Sequence, residues 1–317
     1  MKEETGYMNE QVSRVMTEIK KVIHGKDDVI RLTLCAILAG GHVLLEDIPG
    51  VGKTTLAVAI SRALSMQYRR VQFTPDVLPG DLLGFSLYDR DSGSFRFQEG
   101  AIYTNLFLAD EINRTSPKTQ SALLEVMEER HATVEGQTRE LPQPFFVLAT
   151  QNPFGSSGTQ KLPESQLDRF MICLSMGYPA FDDAVAVLKG DSSLDLNNVM
   201  AVIGVDDLLQ MQKTVHDLYA DEAIYDYIIS LTEQTRDKRY FSLGLSPRGS
   251  IALMRMARAM AFVSGRNYVI PEDIHDIFHA VSGHRVHMNA RAKAEGEQLS
   301  DLLSQVLRQV PVPRVGA

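Results

Sequence analysis

The stretch Pro49-Gly50-Val51-Gly52-Lys53-Thr54-Thr55 constrains this chain more than any other. It follows a short apolar run, His42-Val43-Leu44-Leu45, of the buried parallel-strand type, and it opens a helix expected over residues 53–64. Glycines at these positions let the backbone bend so that several N–H groups point inward at phosphate oxygens. The helix N-terminus adds a favourable dipole. Lys53 is then placed to reach β- and γ-phosphates and the Thr54 hydroxyl to ligate Mg²⁺, with Gly50, Val51, Gly52 and Thr55 completing the cradle. The pattern G-x-x-x-x-G-K-[ST] fails at its first position, which is Asp47 here. The strand–loop–helix setting survives that departure.

The flanking chain supports an α/β setting. Val12, Val15, Met16, Ile19, Val22 and Ile23 recur at helical spacing, predicting a helix over 9–23 that stops at His24-Gly25. A second helix over 27–39 ends at Gly40-Gly41. Further strands are expected at 68–73, 105–109, 145–150 and 171–174, with helical patterns between several of them, which implies a parallel sheet covered on both faces. Beyond Tyr178-Pro179 the strand signals fade. Residues 180–317 read as helices at 180–190, 205–213, 221–235, 247–264 and 271–281, so a boundary is expected near Pro179, with an α/β core over 1–179 and a helical unit over 180–317. Two segments break the rhythm. Residues 84–101 alternate on either side of a turn at 89–93, and residues 131–141 do so around Glu135-Gly136-Gln137, both reading as hairpins. They are either surface decoration or the lining of a pore or partner-binding face.

The strand Leu106-Phe107-Leu108-Ala109 runs into Asp110-Glu111. Ligand chemistry in a parallel sheet gathers at the carboxyl ends of its strands, and strand alternation sends neighbouring side chains in different directions. Asp110 is then the candidate for holding Mg²⁺ through water and Glu111 for orienting and polarising an attacking water. Asn152, in Ala149-Thr150-Gln151-Asn152-Pro153, ends another strand and is either a turn residue or a partner for the γ-phosphate or lytic water. Arg169, before the last strand, is either a surface ion pair or a finger offered to a neighbour's nucleotide, a role that suits a planar, permanently charged fork. Arg114 is a second candidate for that role. Ser246-Pro247-Arg248 opens a helix with Ser as cap and Pro at the first position. A cation there opposes the helix dipole, which points to an outside partner such as phosphate.

Composition narrows the partners. The net charge is −8, opposite to what a protein gripping phosphate backbones usually carries, so nucleic acid is not expected. Cys35 and Cys173 stand alone in apolar runs, reading as buried thiols of a reducing compartment. Residues 1–5 are acidic and lead into no signal-peptide core, and the most apolar stretch, 32–39, is far short of the roughly 20 residues of a membrane span. A soluble cytoplasmic protein without membrane insertion is expected.

Taken in order, PGVGKT, LADEINR, ATQNP, LPESQLDRF and SPRG resemble the MoxR-type AAA+ ATPases over about residues 10–290. That resemblance implies a P-loop NTPase core of three layers with a parallel sheet, followed by an all-α lid, and assembly as a hexameric ring with ATP between subunits. Lys53 and Thr54 would be the Walker A residues, Asp110 and Glu111 the Walker B pair, Asn152 the first sensor, Arg169 the trans-acting finger and Arg248 the second sensor. Residues 22–25, Ile23 and Gly25 included, would touch adenine. The cofactors implied are ATP/ADP and Mg²⁺, and the partner a protein client, with a von Willebrand A domain in known relatives. The hairpins match inserts of the subgroup that also holds magnesium-chelatase motors, so a chelatase motor subunit is the runner-up, beside a nucleotide-gated binding module with little turnover. The long link over 183–206 is a feature that shifts the lid in this subgroup, which leaves Arg248 to serve its own or a neighbour's nucleotide.

Overall fold

The computed structural model describes residues 9–152, 162–189 and 195–314. Pro153, the acidic residues 1–5 and part of the 183–206 link lie outside the described residues.

Helices α1 (Glu10–Lys20) and α2 (Asp27–Leu38) lead into strand β1 (Val43–Glu46) and helix α3 (Lys53–Ala63). Then follow β2 (Tyr68–Gln72), α4 (Pro79–Leu83), the hairpin β3 (Phe85–Asp89) and β4 (Ser94–Gln98), β5 (Leu106–Asp110) and α5 (Pro117–Glu129). A second hairpin, β6 (His131–Val134) and β7 (Gln137–Glu140), precedes β8 (Phe146–Gln151), α6 (Glu164–Leu167) and β9 (Ile172–Leu174). The remainder is α7 (Phe181–Leu188), α8 (Val205–His216), α9 (Glu222–Gln234), β10 (Phe241–Leu243), α10 (Pro247–Val263), α11 (Pro271–Ser282), β11 (His287–Met288), α12 (Ala290–Ala294) and α13 (Leu299–Gln309).

Five strands form one parallel sheet in the order β2-β5-β8-β1-β9. The continuous apolar runs are explained by two buried faces. Leu106 and Leu108 of β5 join a core with α1, α2, α3 and helices α8 to α11, while Phe107 and Ala109 join a second core with α4 and α5. The outer strand β2 carries Arg69 and Arg70 in exposed positions, a charged edge of the kind that discourages pairing with another chain.

Local chemistry sets the helix ends. Asn9 caps α1 by accepting from the Gln11 N–H at 3.1 Å, and Ser246 caps α10 by accepting from the Gly249 N–H at 3.1 Å, with Pro247 at the first position. Helix α1 stops at Lys20, short of the expected residue 23, and α8 runs on to His216. One expectation is corrected. Residues 180–317 are not helical throughout, because β10 and β11 pair antiparallel, Phe241 against Met288. Strands of three and two residues, joined across two helices' worth of chain, carry no periodic signal. Both hairpins form where expected, Phe85 opposite Gln98 and His131 opposite Glu140.

Candidate functional site

The carboxyl ends of β1, β5 and β8 lie side by side, and the P-loop leaves β1 between its neighbours. Gly50 and Gly52 have φ of +85° and +96°, left-handed values that a side chain resists. Gly52 is the residue before α3, so the N–H groups of Lys53, Thr54 and Thr55 have no partner within the helix and face the loop. Lys53 Nζ donates to the carbonyls of Asp47 (2.8 Å) and Ile48 (3.2 Å). Burial pulls its pKa down, against the nearby carboxylates of Asp47, Asp110 and Glu111.

Asp47 has a definite place in this loop. Its buried carboxylate accepts from Ser175 Oγ (3.0 Å), from the Gly177 N–H (3.2 Å) and from the Met176 N–H. The residue that breaks the sequence pattern thus ties the P-loop to the chain leaving β9. That same exit wall, with Met176, Pro179, Asp183 and Ala186, closes a cavity of about 350 Å³ with Val22, Ile23, His24, Lys26, Gly50, Val51, Gly52 and Thr55. Ile23 and Gly52 are therefore neighbours, and Gly25, at φ +63°, makes the turn beside them.

Asp110 ends β5 nearly buried, accepting from Thr150 Oγ1 at 2.6 Å and from Arg70 Nη2 at 2.6 Å. Glu111 follows in the left-handed region at φ +57°, a conformation costing about 1–3 kcal/mol in a residue that is not glycine. That turn, rather than strand alternation, parts the two acids. The Glu111 N–H donates to Thr150 Oγ1 at 2.9 Å, and its carboxylate accepts from Gln72 Nε2 (3.0 Å) and Arg114 Nη1 (2.6 Å). Arg114, the second finger candidate, pairs with Glu111 of its own chain. Asn152 follows the end of β8, where its carbonyl accepts from Asn113 Nδ2 at 3.4 Å.

Arg169 and Arg248 lie elsewhere. Arg169 precedes β9, which runs parallel to β1, so it sits at the amino end of the sheet while the P-loop sits at the carboxyl end. Arg169 Nε is 3.5 Å from Glu128 near the end of α5, and Arg248 Nη2 donates to the other oxygen of the same carboxylate. Both arginines thus share one carboxylate of their own chain. The start of α10 is pinned to the same region, because Asp168 accepts from Ser246 Oγ (2.9 Å) and from the buried Arg285 Nε (2.8 Å). Sequence reasoning missed Arg70, Gln72, Glu128 and Arg285. Each becomes visible only when distant segments meet, and no local pattern marks them. Thr150, by contrast, lay inside the ATQNP motif.

Among the described residues, no group of His, Cys, Asp and Glu side chains has the arrangement of a protein-only metal cage. A hydroxyl and one or two carboxylates beside bound phosphates fit Mg²⁺, which keeps several waters. No helix among the described residues is long and apolar enough to cross a membrane.

Residues 42–172 match the ATPase family associated with various cellular activities (AAA), and residues 233–306 match the AAA lid domain. The Bacillus subtilis protein YeaC, itself uncharacterized, is 45% identical over 95% of both chains. Chaperone MoxR1 of Mycobacterium tuberculosis is 35% identical over 96% of this chain and 83% of its own length, and protein MoxR of Methylorubrum extorquens is 32% identical over 95% of each. A crystal structure from Cytophaga hutchinsonii, assigned as an ATPase, superposes with a TM-score of 0.88 at 35% identity, over 96% of this chain and 95% of that one.

Proposed function

Because the chain belongs to the MoxR-type AAA+ ATPases, we propose that it hydrolyses ATP at sites shared between subunits of a ring, hexameric in its simplest form, and uses that cycle to remodel a protein client. The observation that carries the shared site is the position of Arg169 and Arg248. Both sit on Glu128 at the amino end of the sheet, the end opposite the chain's own P-loop. A phosphate they stabilise is therefore one bound to another copy.

Each residue has a part in this reading. The N–H groups of Gly52 to Thr55 and the Lys53 ammonium hold the β- and γ-phosphates, and Ile23 and Val51 bound the space for adenine, with Gly25 making the turn that follows Ile23 and His24. Thr54 Oγ1 and, through water, the Asp110 carboxylate would hold Mg²⁺, which would supply charge neutralisation on the phosphate oxygens when bound. Glu111 orients the attacking water and takes up its proton, and Gln72 and Arg114 fix the carboxylate for that work. Asn152 positions the water from the end of β8. Thr150 holds both halves of the acid pair, bonding the Asp110 side chain and the Glu111 backbone. Arg169 and Arg248 leave Glu128 for the neighbour's transferring phosphoryl group, where guanidinium forks offset its growing charge.

The core over 1–179 and the lid unit over 180–317 then move against each other through the cycle. The hairpins carry that movement to the client, a protein that a von Willebrand A domain would suit. Glu111→Gln tests the chemical half of this reading. ATP binding, followed with a fluorescent analogue, should be retained while turnover falls by roughly 10²–10⁴. Equal turnover in variant and parent would remove Glu111 from the reaction.

A further inference from the structure

A pocket of about 250 Å³ opens at the amino end of the sheet, between the end of α2, the last turn of α8 and the middle of α10. Its walls carry Arg130, Lys213, His216, Arg255 and Arg258 and no carboxylate, in a chain whose net charge is −8. Arg130 Nη2 donates to Gly40 O at 3.0 Å, and Arg255 Nη2 donates to the same oxygen at 3.1 Å and to Ala39 O. Two guanidinium groups thus meet on one carbonyl. Gly40 permits the approach: at φ +64°, a side-chain carbon here would lie 3.1 Å and 3.2 Å from those two nitrogens.

Arg258 closes the other wall, donating to His216 O (2.7 Å) and to Tyr225 Oη (3.0 Å), while its Nε is buried with no partner among the described residues. Among the described residues, none of Arg130, Lys213, Arg255 and Arg258 has a carboxylate within ion-pair distance. The nearby acid is Asp217, whose exposed carboxylate lies 2.9 Å from His216 Nδ1 and also feels the Lys213 and Arg258 charges from outside the pocket wall. Burial and then the Arg130 charge pull the Arg255 pKa down. The C-terminal end of α2 offers a partial negative charge of about half a unit, which offsets only a fraction of this excess. Among the described bonds, Arg130 and Arg255 each use Nη2 alone, which leaves Nε and Nη1 of both for something else.

We propose that this pocket is a second anion site, distinct from the P-loop, that binds a phosphate dianion, free or carried on a small monoester. A carboxylate would leave most of the surrounding charge unbalanced. Guanidinium forks match pairs of phosphate oxygens. The pocket is also smaller than the roughly 300–1,000 Å³ of sites that take larger ligands, so it holds the anion and a short appendage.

The P-loop also binds phosphate, so the test is made on the full chain carrying Lys53→Ala, by calorimetric titration at constant ionic strength set with chloride. Inorganic phosphate and glycerol phosphate are titrated separately, and whichever binds more tightly identifies the source. The expected result is one anion per chain, weakened roughly tenfold to a hundredfold by Lys213→Gln or Arg258→Gln through loss of a charged hydrogen bond. The Lys213 side chain is exposed and its ammonium makes no hydrogen bond or ion pair among the described residues, so Lys213→Gln leaves the fold intact even if Arg258→Gln does not. In the otherwise native chain Lys213→Gln should also leave ATP turnover unchanged. Binding no stronger than chloride, or binding that both variants leave untouched, would overturn the proposal.

Discussion

At the residue scale, Asp47 and His42 show how buried polar groups fix the site. Asp47 gathers two N–H groups and a hydroxyl onto one carboxylate, holding the P-loop against the exit of β9. Bonds to a charged group contribute about 1.5–3 kcal/mol each. Asp47→Ala should therefore lower stability by about 2–4 kcal/mol in urea unfolding. It should also weaken nucleotide binding, because Met176 lines the cavity behind the loop. Unchanged affinity would mean that the clamp is purely structural. His42 joins the start of β1 to two other elements, with Nε2 2.9 Å from Met127 O and Nδ1 accepting the Val147 N–H at 3.0 Å. This pattern requires the neutral ring with its proton on Nε2. Burial, the largest cause, lowers its pKa from 6.5 to about 4. A histidine depressed in the folded state contributes stability that is present above pH 6.5 and lost as pH falls through 4, because the unfolded chain takes the proton first. The loss is of order 3 kcal/mol. The buried His284, also lowered mainly by burial, adds to it. Urea midpoints should fall between pH 7 and pH 5, and His42→Gln should be less stable at pH 7 yet show a shallower fall. A parallel fall in both proteins would rule His42 out as a source.

At the element scale, the two hairpins stand out. Ser86 Oγ of β3 donates to Glu135 Oε2 at 2.5 Å, linking them, while Leu87, Tyr88 and Phe95 of the first are largely exposed and Tyr88 stacks edge-on with Phe95 at 5.4 Å. Exposed apolar side chains on a linked pair of hairpins fit a client-contacting face better than decoration. Phe95→Ser should change stability by no more than about 0.5 kcal/mol and leave basal ATP turnover alone. It should instead diminish the stimulation of turnover by an unfolded apolar protein. Full stimulation would return these hairpins to decoration.

These elements also mark the limit of what residues alone reveal. Strands β1, β5 and β8 and their ligand-bearing ends were legible because burial on both faces makes continuous apolar runs, and chemistry collects where those runs stop. The hairpins were legible through strict alternation around Asp and Gly turns. The β10–β11 pair was not, since neither strand is long enough to show a period. Helix α13 lies outside the helices expected from the sequence, although Leu302, Leu303 and Val306 give it a buried stripe. The partners of Arg169 and Arg248 were out of reach for a different reason. Glu128 belongs to an ordinary amphipathic helix, and only the return of α5 to the amino end of the sheet brings it to both arginines.

At the scale of the whole molecule, the proposed ATPase site is divided between copies. Each chain carries a P-loop and acid pair at one end of its sheet and two arginines, parked on Glu128, at the other. An arginine supplied by a neighbour contributes about 10³–10⁵ in rate, so an isolated chain should turn over slowly however well it binds ATP. The most direct test mixes two dead variants. Lys53→Ala abolishes the phosphate grip but keeps the arginines, whereas Arg169→Ala keeps the P-loop but offers a neighbour nothing. Each alone should be nearly inactive, and an equal mixture should regain substantial turnover, because some junctions then pair an intact P-loop with an intact arginine. A mixture as inactive as its parents, or Arg169→Ala with undiminished activity by itself, would contradict the shared site.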